Sequence, residues 1–420
     1  MQFIINGGKK LEGTIAVAGS KNAASPIIAA TLLTRAPCVL SNVPRIGDVF
    51  TMLALLTSIG SRQRWLSDHT IEIINDDIDP ARLDQRLVAH IRSSIMLVGP
   101  LLARFGEATF VAPGGCHIGT RPIDTHLEAF RSLGAEVAFD AGSGRYRIRL
   151  ARPTAAAVTL REFSVTATEN VLLYAANHPC TIKLAATEPH VADVGAFLKR
   201  LGARIRGLGT HTITVSAPVS ARAGAVRHRV VNDAIEMGTF AVLAATTRGK
   251  VRITGVVSDH MEAALAKFSE MGVVWELRGK DLFINGPASA LKAAKIEARP
   301  YPGLPTDLQS PFGVLATQAD GASLIFDTLF EGRLRYVDEL KKMGAEATVL
   351  DPHRAIIKGP SVLHGTQVAG LDLRAGATLL IAGLVAKGVT TIEEAQQIDR
   401  GYEAIDERLR ALGADIRRKI

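Results

Sequence analysis

Cysteine is scarce in this chain, with three in 420 residues. No two of them form a Cys-x-x-Cys pair, so the sequence offers neither a disulfide framework nor a structural zinc site and points to a reducing compartment. Aromatic residues make up only 5%, too few to supply stacking platforms along a single nucleic-acid strand. Long apolar runs are missing as well. None approaches the roughly 18 residues of a membrane span, and the opening MQFIINGGKK has no secretory apolar core. A cytoplasmic protein without membrane segments is expected.

The formal net charge of +8 raises the question of nucleic acid, because clustered Lys and Arg are the footprint of phosphate-backbone binding. Here the basic residues are scattered, so nucleic acid is not the expected partner. A solvated basic surface is the expected reading, and cations converging on a small polyanionic substrate account for the charge as well. With 47% apolar and 21% charged residues, the chain is long enough for two or three globular domains, each with its own core.

What the chain does have is internal repetition. LLTSIGS, FRSLGAE, LKRLGAR, FSEMGVV, LKKMGAE and LRALGAD end six amphipathic segments spaced by roughly 70 residues. Each leads into a glycine suited to a left-handed helix cap, followed by a short strand such as AEVAF or ARIRG. A second kind of helix precedes each of them: AASPIIAATLL, SIMLVGPLLARF, NVLLYAANH, GTFAVLAATTRG, PFGVLATQADG and ATLLIAGLVAKG. These are apolar nearly all round and rich in Ala and Gly, the pattern of helices buried on every side. The unit reads buried helix, strand, amphipathic helix, strand, and six units make two domains of three.

The starts of the buried helices offer free N–H groups and positive potential to an anion. Lys21 and Asn22, Arg92, Glu169 and Asn170, Asp307, and Arg374 with Asp372 sit at or near five of these starts. Capping accounts for Asn170 and Asp307, but cations at a helix start oppose the macrodipole. Lys21, Arg92 and Arg374 therefore need another reason, and a bound anion would be one.

One further stretch stands out. PGGCHIGTRP, from Pro113 to Pro122, places Cys116 after two glycines and ahead of His117, Gly119 and Arg121. Neighbouring cations lower a thiol pKa, which would tune Cys116 as proton donor or nucleophile. Cys38 and Cys180 fit the role of small buried hydrophobes.

GSKNAA, IRSSIMLVGPLLARFG, PGGCHIGTRPIDTHL, PTDLQSPF, DLRAGATLL and IDRGYEAIDERLRALGA follow one another along the chain. Together they resemble the UDP-N-acetylglucosamine 1-carboxyvinyltransferases, a family of enolpyruvyl transferases that begins peptidoglycan synthesis. The resemblance implies a two-domain inside-out α/β barrel of six repeated units, with buried central helices surrounded by sheets and outer helices. It places one domain at residues 22–229 and the other at 1–21 with 230–420, with the active site in the cleft between them. The implied reaction moves the enolpyruvyl group of phosphoenolpyruvate to the 3-hydroxyl of UDP-N-acetylglucosamine by addition and elimination, releasing phosphate. The resemblance implies neither metal nor organic cofactor, and no ligand cluster is apparent in the sequence.

Roles carried over by the resemblance are as follows. Cys116 is the general acid and the thiol alkylated by fosfomycin, on a loop hinged at Gly114, Gly115 and Gly119 that closes over the cleft. Lys21, Arg121 and Arg400 clamp phosphate and carboxylate, and Arg92 and Arg374 add to the positive field. Asp307 is the candidate base for the sugar hydroxyl, and Asp372 stands near the reacting carbons. Asn22, Arg121, Pro122, Ile123, Asp124, Ser164, Val165 and Leu329 are the expected contacts of the nucleotide sugar, with Arg333 from EGRLRY as a further one. His126 is read as a packing residue.

The chain departs from the family pattern at three places. NDAIE puts Ala234 where an arginine is usual, EGRL puts Gly332 where ENRF is usual, and ANHPCT replaces LAEGTT near residue 177. These departures keep open a non-catalytic or altered-acceptor paralogue that binds a nucleotide sugar. The shikimate-pathway enolpyruvyl transferases share the fold but lack the GGC loop.

Overall fold

The computed structural model describes residues 1–115, 118–152, 157–220, 224–287 and 290–420. Two units are present, one comprising residues 19–116 and 121–231, the other residues 1–18, 117–120 and 232–420. We refer to them as the first and the second unit.

Each unit contains three of the predicted buried helices. In the first these are Lys21–Ala30, Val98–Phe105 and Val165–Ala175; in the second, Ala234–Thr246, Thr306–Thr317 and Leu373–Val385. Their composition explains their position. Helix Leu373–Val385, LRAGATLLIAGLV, is buried from Leu373 to Leu384, and small residues on all sides let neighbours approach closely. Gly313 shows the limit, because a Cβ there would lie 2.4 Å from the Tyr336 hydroxyl.

The amphipathic helices end as the sequence indicates. Gly60, Gly134, Gly202, Gly272, Gly344 and Gly413 all have φ between 79° and 109°, the left-handed region that a Cβ disfavours. Beyond each of the first five glycines the chain makes a strand hairpin rather than a single strand. Arg62–Ser67 pairs with Thr70–Ile74, for example, and Glu346–Asp351 with Arg354–Gly359. The last repeat is paired differently. Its strand Asp415–Lys419 pairs instead with the N-terminal strand Gln2–Asn6, which also pairs with Val389–Glu393.

There are six separate sheets among the described residues, one per repeat. Five of them add a parallel strand to the antiparallel core, as Val226–Arg229 does beside Cys38–Ser41 and Glu12–Ala16 beside Lys250–Thr254. The mixed α/β architecture with buried helices inside sheets and outer helices agrees with the expected fold class.

Phe312, fully buried in helix Thr306–Thr317, packs on Phe268 at a ring separation of 4.9 Å. Phe312→Ala should cost the second unit about 3–5 kcal/mol through lost burial and the cavity left behind. Chemical denaturation followed by far-UV circular dichroism will show a lowered midpoint; an unchanged one would contradict this core assignment.

Candidate functional site

Serine and aspartate caps set the starts of four buried helices. Ser20 Oγ accepts from Ala23 N–H, and Ser164 Oγ from Ala167 N–H. Asp233 accepts from the N–H groups of Ile235 and Glu236, and Asp372 from those of Arg374 and Ala375. Of the expected site residues, Ser164 and Asp372 are thus N-caps, and Asp233 is a cap that the sequence reading passed over. Glu169 and Asn170 belong to the second turn of their helix rather than to its start. Arg92 opens a 3-10 segment, Arg92–Leu97, that runs into helix Val98–Phe105.

In the second unit Asp307 lies in the first turn of helix Thr306–Thr317. Arg333 Nη2 donates to its Oδ1 at 2.6 Å and Arg374 Nε to its Oδ2 at 3.0 Å. Both arginines are nearly buried, with side chains 10% and 4% exposed, so the carboxylate is their countercharge in a low-dielectric setting. Burial opposes the charge on Arg374, but the combined attraction of Asp307, Tyr402 and Asp233 outweighs it and raises its pKa. The Arg374 guanidinium also lies 5.4 Å from the ring centre of Tyr402, whose hydroxyl contacts Thr239 Oγ1 at 2.9 Å. Arg374 Nη1 and Arg333 Nε are buried without hydrogen-bond partners among the described residues.

A residue absent from the sequence reading fixes this group. Asp327, fully buried, accepts from Thr306 Oγ1 at 2.5 Å and from the N–H groups of Leu329 and Phe330. It ties the helix start that carries Asp307 to the turn that carries Leu329 and Arg333. Its burial is the signal, and a lone Asp in IFDTLF does not betray burial. Arg400 ends the 3-10 segment Ala395–Arg400 and donates to Gln397 Oε1 at 3.1 Å.

In the first unit Lys21 pairs with the buried Asp48 at 3.0 Å. The lysine at a helix start therefore has a carboxylate partner within the protein, a reason for its position besides the bound anion that the sequence suggested. Arg92 Nη2 donates to the Pro122 carbonyl at 3.0 Å. Burial, reinforced by the positive charge of Arg121, lowers the Arg92 pKa to about 10. Two guanidiniums so placed form a positive field suited to a polyanion. Gly115 lies against both: a Cβ there would meet Arg92 Cβ at 2.9 Å and Arg121 Nη2 at 3.2 Å, and φ is +112°. Gly114 approaches the Ala89 carbonyl so closely that a Cβ would sit at 1.8 Å from it. Cys116 and His117 lie outside the described residues.

Ile123 is buried ahead of helix Asp124–Ser132, which begins at Asp124. Behind it His126, 2% exposed, makes contacts of 3.1 Å to Thr166 Oγ1 through Nε2 and to Asn170 Nδ2 through Nδ1. Asn170 also donates to the Ile95 carbonyl and accepts from Gly99 N–H. The histidine is a satisfied packing residue, as expected. Asn22, half-buried in the first turn of helix Lys21–Ala30, lies beside Lys21, and Val165 opens the helix that Ser164 caps. Among the described residues there is no group of three or more His, Cys, Asp or Glu able to hold a metal, and no helix is long and apolar enough to cross a membrane. Cys38 and Cys180 are buried free thiols.

Burial, with Arg92 adding to it, lowers the His126 pKa to about 3. The unfolded chain takes up this proton near pH 6.5 and the folded one only near 3, so stability falls with acid through that window, by up to about 1.4 kcal/mol per pH unit. Proton NMR should show the His126 ring resonances unchanged between pH 8 and 5; a midpoint inside that range would sink this assignment.

The model of the EPSP synthase family, described as 3-phosphoshikimate 1-carboxyvinyltransferase, matches residues 5–409. A UDP-N-acetylglucosamine 1-carboxyvinyltransferase of Bradyrhizobium diazoefficiens is 44% identical over 100% of this chain and 98% of its own length. UDP-N-acetylglucosamine 1-carboxyvinyltransferase 1 of Carboxydothermus hydrogenoformans is 42% identical over 99% and 98%. Among solved structures, the enolpyruvyl transferase NikO of Streptomyces tendae superposes with a TM-score of 0.89 at 26% identity, covering 99% of this chain and 98% of that one. EPSP synthase of Acinetobacter baumannii, at 19% identity and a TM-score of 0.73 over 99% of both chains, shares the fold.

Proposed function

The chain belongs to the EPSP synthase family of carboxyvinyltransferases, and from that premise we propose that it transfers the enolpyruvyl group of phosphoenolpyruvate to the 3-hydroxyl of UDP-N-acetylglucosamine, the first committed step of peptidoglycan synthesis. The relatives support the choice of acceptor. Within this chain, the observation that carries the reading is the carboxylate of Asp307 held between Arg333 and Arg374.

The chemistry has two halves. A proton delivered to C3 of phosphoenolpyruvate leaves C2 cationic, and the sugar oxygen bonds to C2 as its own proton passes to the Asp307 carboxylate, giving a tetrahedral ketal. Loss of a proton from C3 then expels phosphate and restores the vinyl group. Cys116 is the proposed acid, and its thiol is the proposed site of fosfomycin alkylation. Asp307, both of whose oxygens accept from guanidiniums, is the proposed base for the sugar hydroxyl. Its contribution is to accept the hydrogen bond of the sugar hydroxyl and to place negative charge beside the cationic C2. Lys21, Arg121 and Arg400 hold phosphate and carboxylate, while Arg92 and Arg374 enlarge the positive field. Asn22, Pro122, Ile123, Asp124, Ser164, Val165, Leu329 and Arg333 serve the nucleotide sugar, and Asp372 stands near the reacting carbons. The enzyme works in the cytoplasm on this reading.

Phosphate release from phosphoenolpyruvate should require UDP-N-acetylglucosamine, collapse in Cys116→Ala, and fall by about 10²–10⁴-fold in kcat in Asp307→Asn. If folded protein binds the sugar nucleotide but releases no phosphate, the catalytic reading fails and a non-catalytic or altered-acceptor paralogue takes its place.

A further inference from the structure

The segment Ile118–Thr120 belongs to the second unit, although the chain on either side of residues 117–120 belongs to the first. Within the second unit it lies on the turn formed by Glu331 and Gly332. Three kinds of contact hold it there. Ile118 is 3% exposed and so is an apolar anchor. Its carbonyl accepts from Gly332 N–H at 3.0 Å. Thr120 donates twice to Glu331 Oε1, from its N–H at 2.7 Å and from its hydroxyl.

Space is as telling as the hydrogen bonds. A Cβ on Gly332 would lie 2.5 Å from the Ile118 carbonyl carbon and 2.6 Å from Gly119 N. These are backbone atoms, which cannot swing aside as a flexible side chain can. From the other side, a Cβ on Gly119 would lie 2.5 Å from Glu331 Oε2, at a φ of +120°. Gly332 therefore admits no side chain while the segment is seated, and Gly119 is held to glycine by its φ.

The seam does not depend on neutral pH. The two Thr120 donors hold the Glu331 pKa down to about 2. A carboxylate with a depressed pKa keeps its contacts above that value and loses them only as pH falls through it.

We propose that Glu331 and Gly332 are positioning residues for carboxyvinyl transfer, seating the segment that directly follows Cys116: Glu331 by accepting from Thr120, Gly332 by leaving the volume that Ile118 and Gly119 fill. The role in catalysis rests on the proposed function, whereas the seating itself does not. Gly332 thus has a task of its own, with its missing side chain replaced by backbone.

The test uses the full chain and three variants, Thr120→Val, Thr120→Ser and Gly332→Ala. Alkylation of Cys116 by iodoacetamide is followed by peptide mass spectrometry, with the buried Cys38 and Cys180 as internal references, and kcat and KM are measured beside it. Losing the hydroxyl or crowding the seam should change the Cys116 alkylation rate by about fivefold or more, the worth of one hydrogen bond. It should lower kcat more than it raises the KM for the sugar nucleotide. Thr120→Ser, which keeps the hydroxyl, should behave like the native protein, and melting temperatures should stay close together. Alkylation within about twofold of native in both Thr120→Val and Gly332→Ala would overturn the proposal. If Gly332→Ala does not fold, Thr120→Val against Thr120→Ser decides. If native protein shows no turnover at all, the proposed function fails, and the alkylation rates still test the seating.

Discussion

A helix buried on all sides can present polar groups only at its ends, and that constraint decides where this protein keeps its chemistry. Interiors such as those of Ala234–Thr246 and Leu373–Val385 are almost wholly Ala, Gly, Leu, Ile, Val and Thr. Polar side chains that enter are few, and some pair between helices, as when Thr378 donates to Ser310 Oγ at 2.9 Å. The helix starts are different. Their N–H groups need acceptors, and Ser20, Ser164, Asp233 and Asp372 supply them. Once the first turns are fixed, nearby charged groups such as Lys21, Asp307 and Arg374 are held to a narrow set of positions.

Charge balance then does the rest. An arginine in the first turn faces the unfavourable end of the helix dipole, and one as buried as Arg374 also loses its hydration. Asp307 offsets both costs. Arg333, its other partner, comes from a turn that buried Asp327 fixes by accepting from Leu329 and Phe330. The cluster is a chain of dependence running from a buried aspartate, through a turn, to a carboxylate with two guanidiniums. Lys21 and Asp48 solve the same problem in the first unit.

Much of the fold was legible because it is local. A glycine ending an amphipathic run predicts a left-handed cap wherever it occurs, and the six glycines obey. All-round apolarity likewise marked the buried helices. Pairing was less legible: the added parallel strands depend on partners far away, and the use of Gln2–Asn6 to complete the sixth repeat spans more than 400 residues of chain. The Asp307 cluster joins residues 26 and 67 positions apart, so spacing could not reveal it. Placing Glu169 and Asn170 at a helix start failed for a related reason. The apolar run NVLLYAANH begins late, while the backbone enters the helix at Val165 as soon as Ser164 can cap it.

The departures from the family pattern divide along the same line. Ala234 opens a helix capped by Asp233, and nothing in the structure explains the alanine itself. Gly332 is different in kind. In the sequence it reads as a subtraction, an amide side chain removed with nothing put in its stead. In the fold the volume is occupied by the backbone of Ile118 and Gly119, with a hydrogen bond from Gly332 N–H to the Ile118 carbonyl. A glycine leaves a gap only where no other group moves in. Here main chain packs closely against main chain, and the rigid backbone atoms on both sides make the position selective for glycine in a way that no surface loop requires.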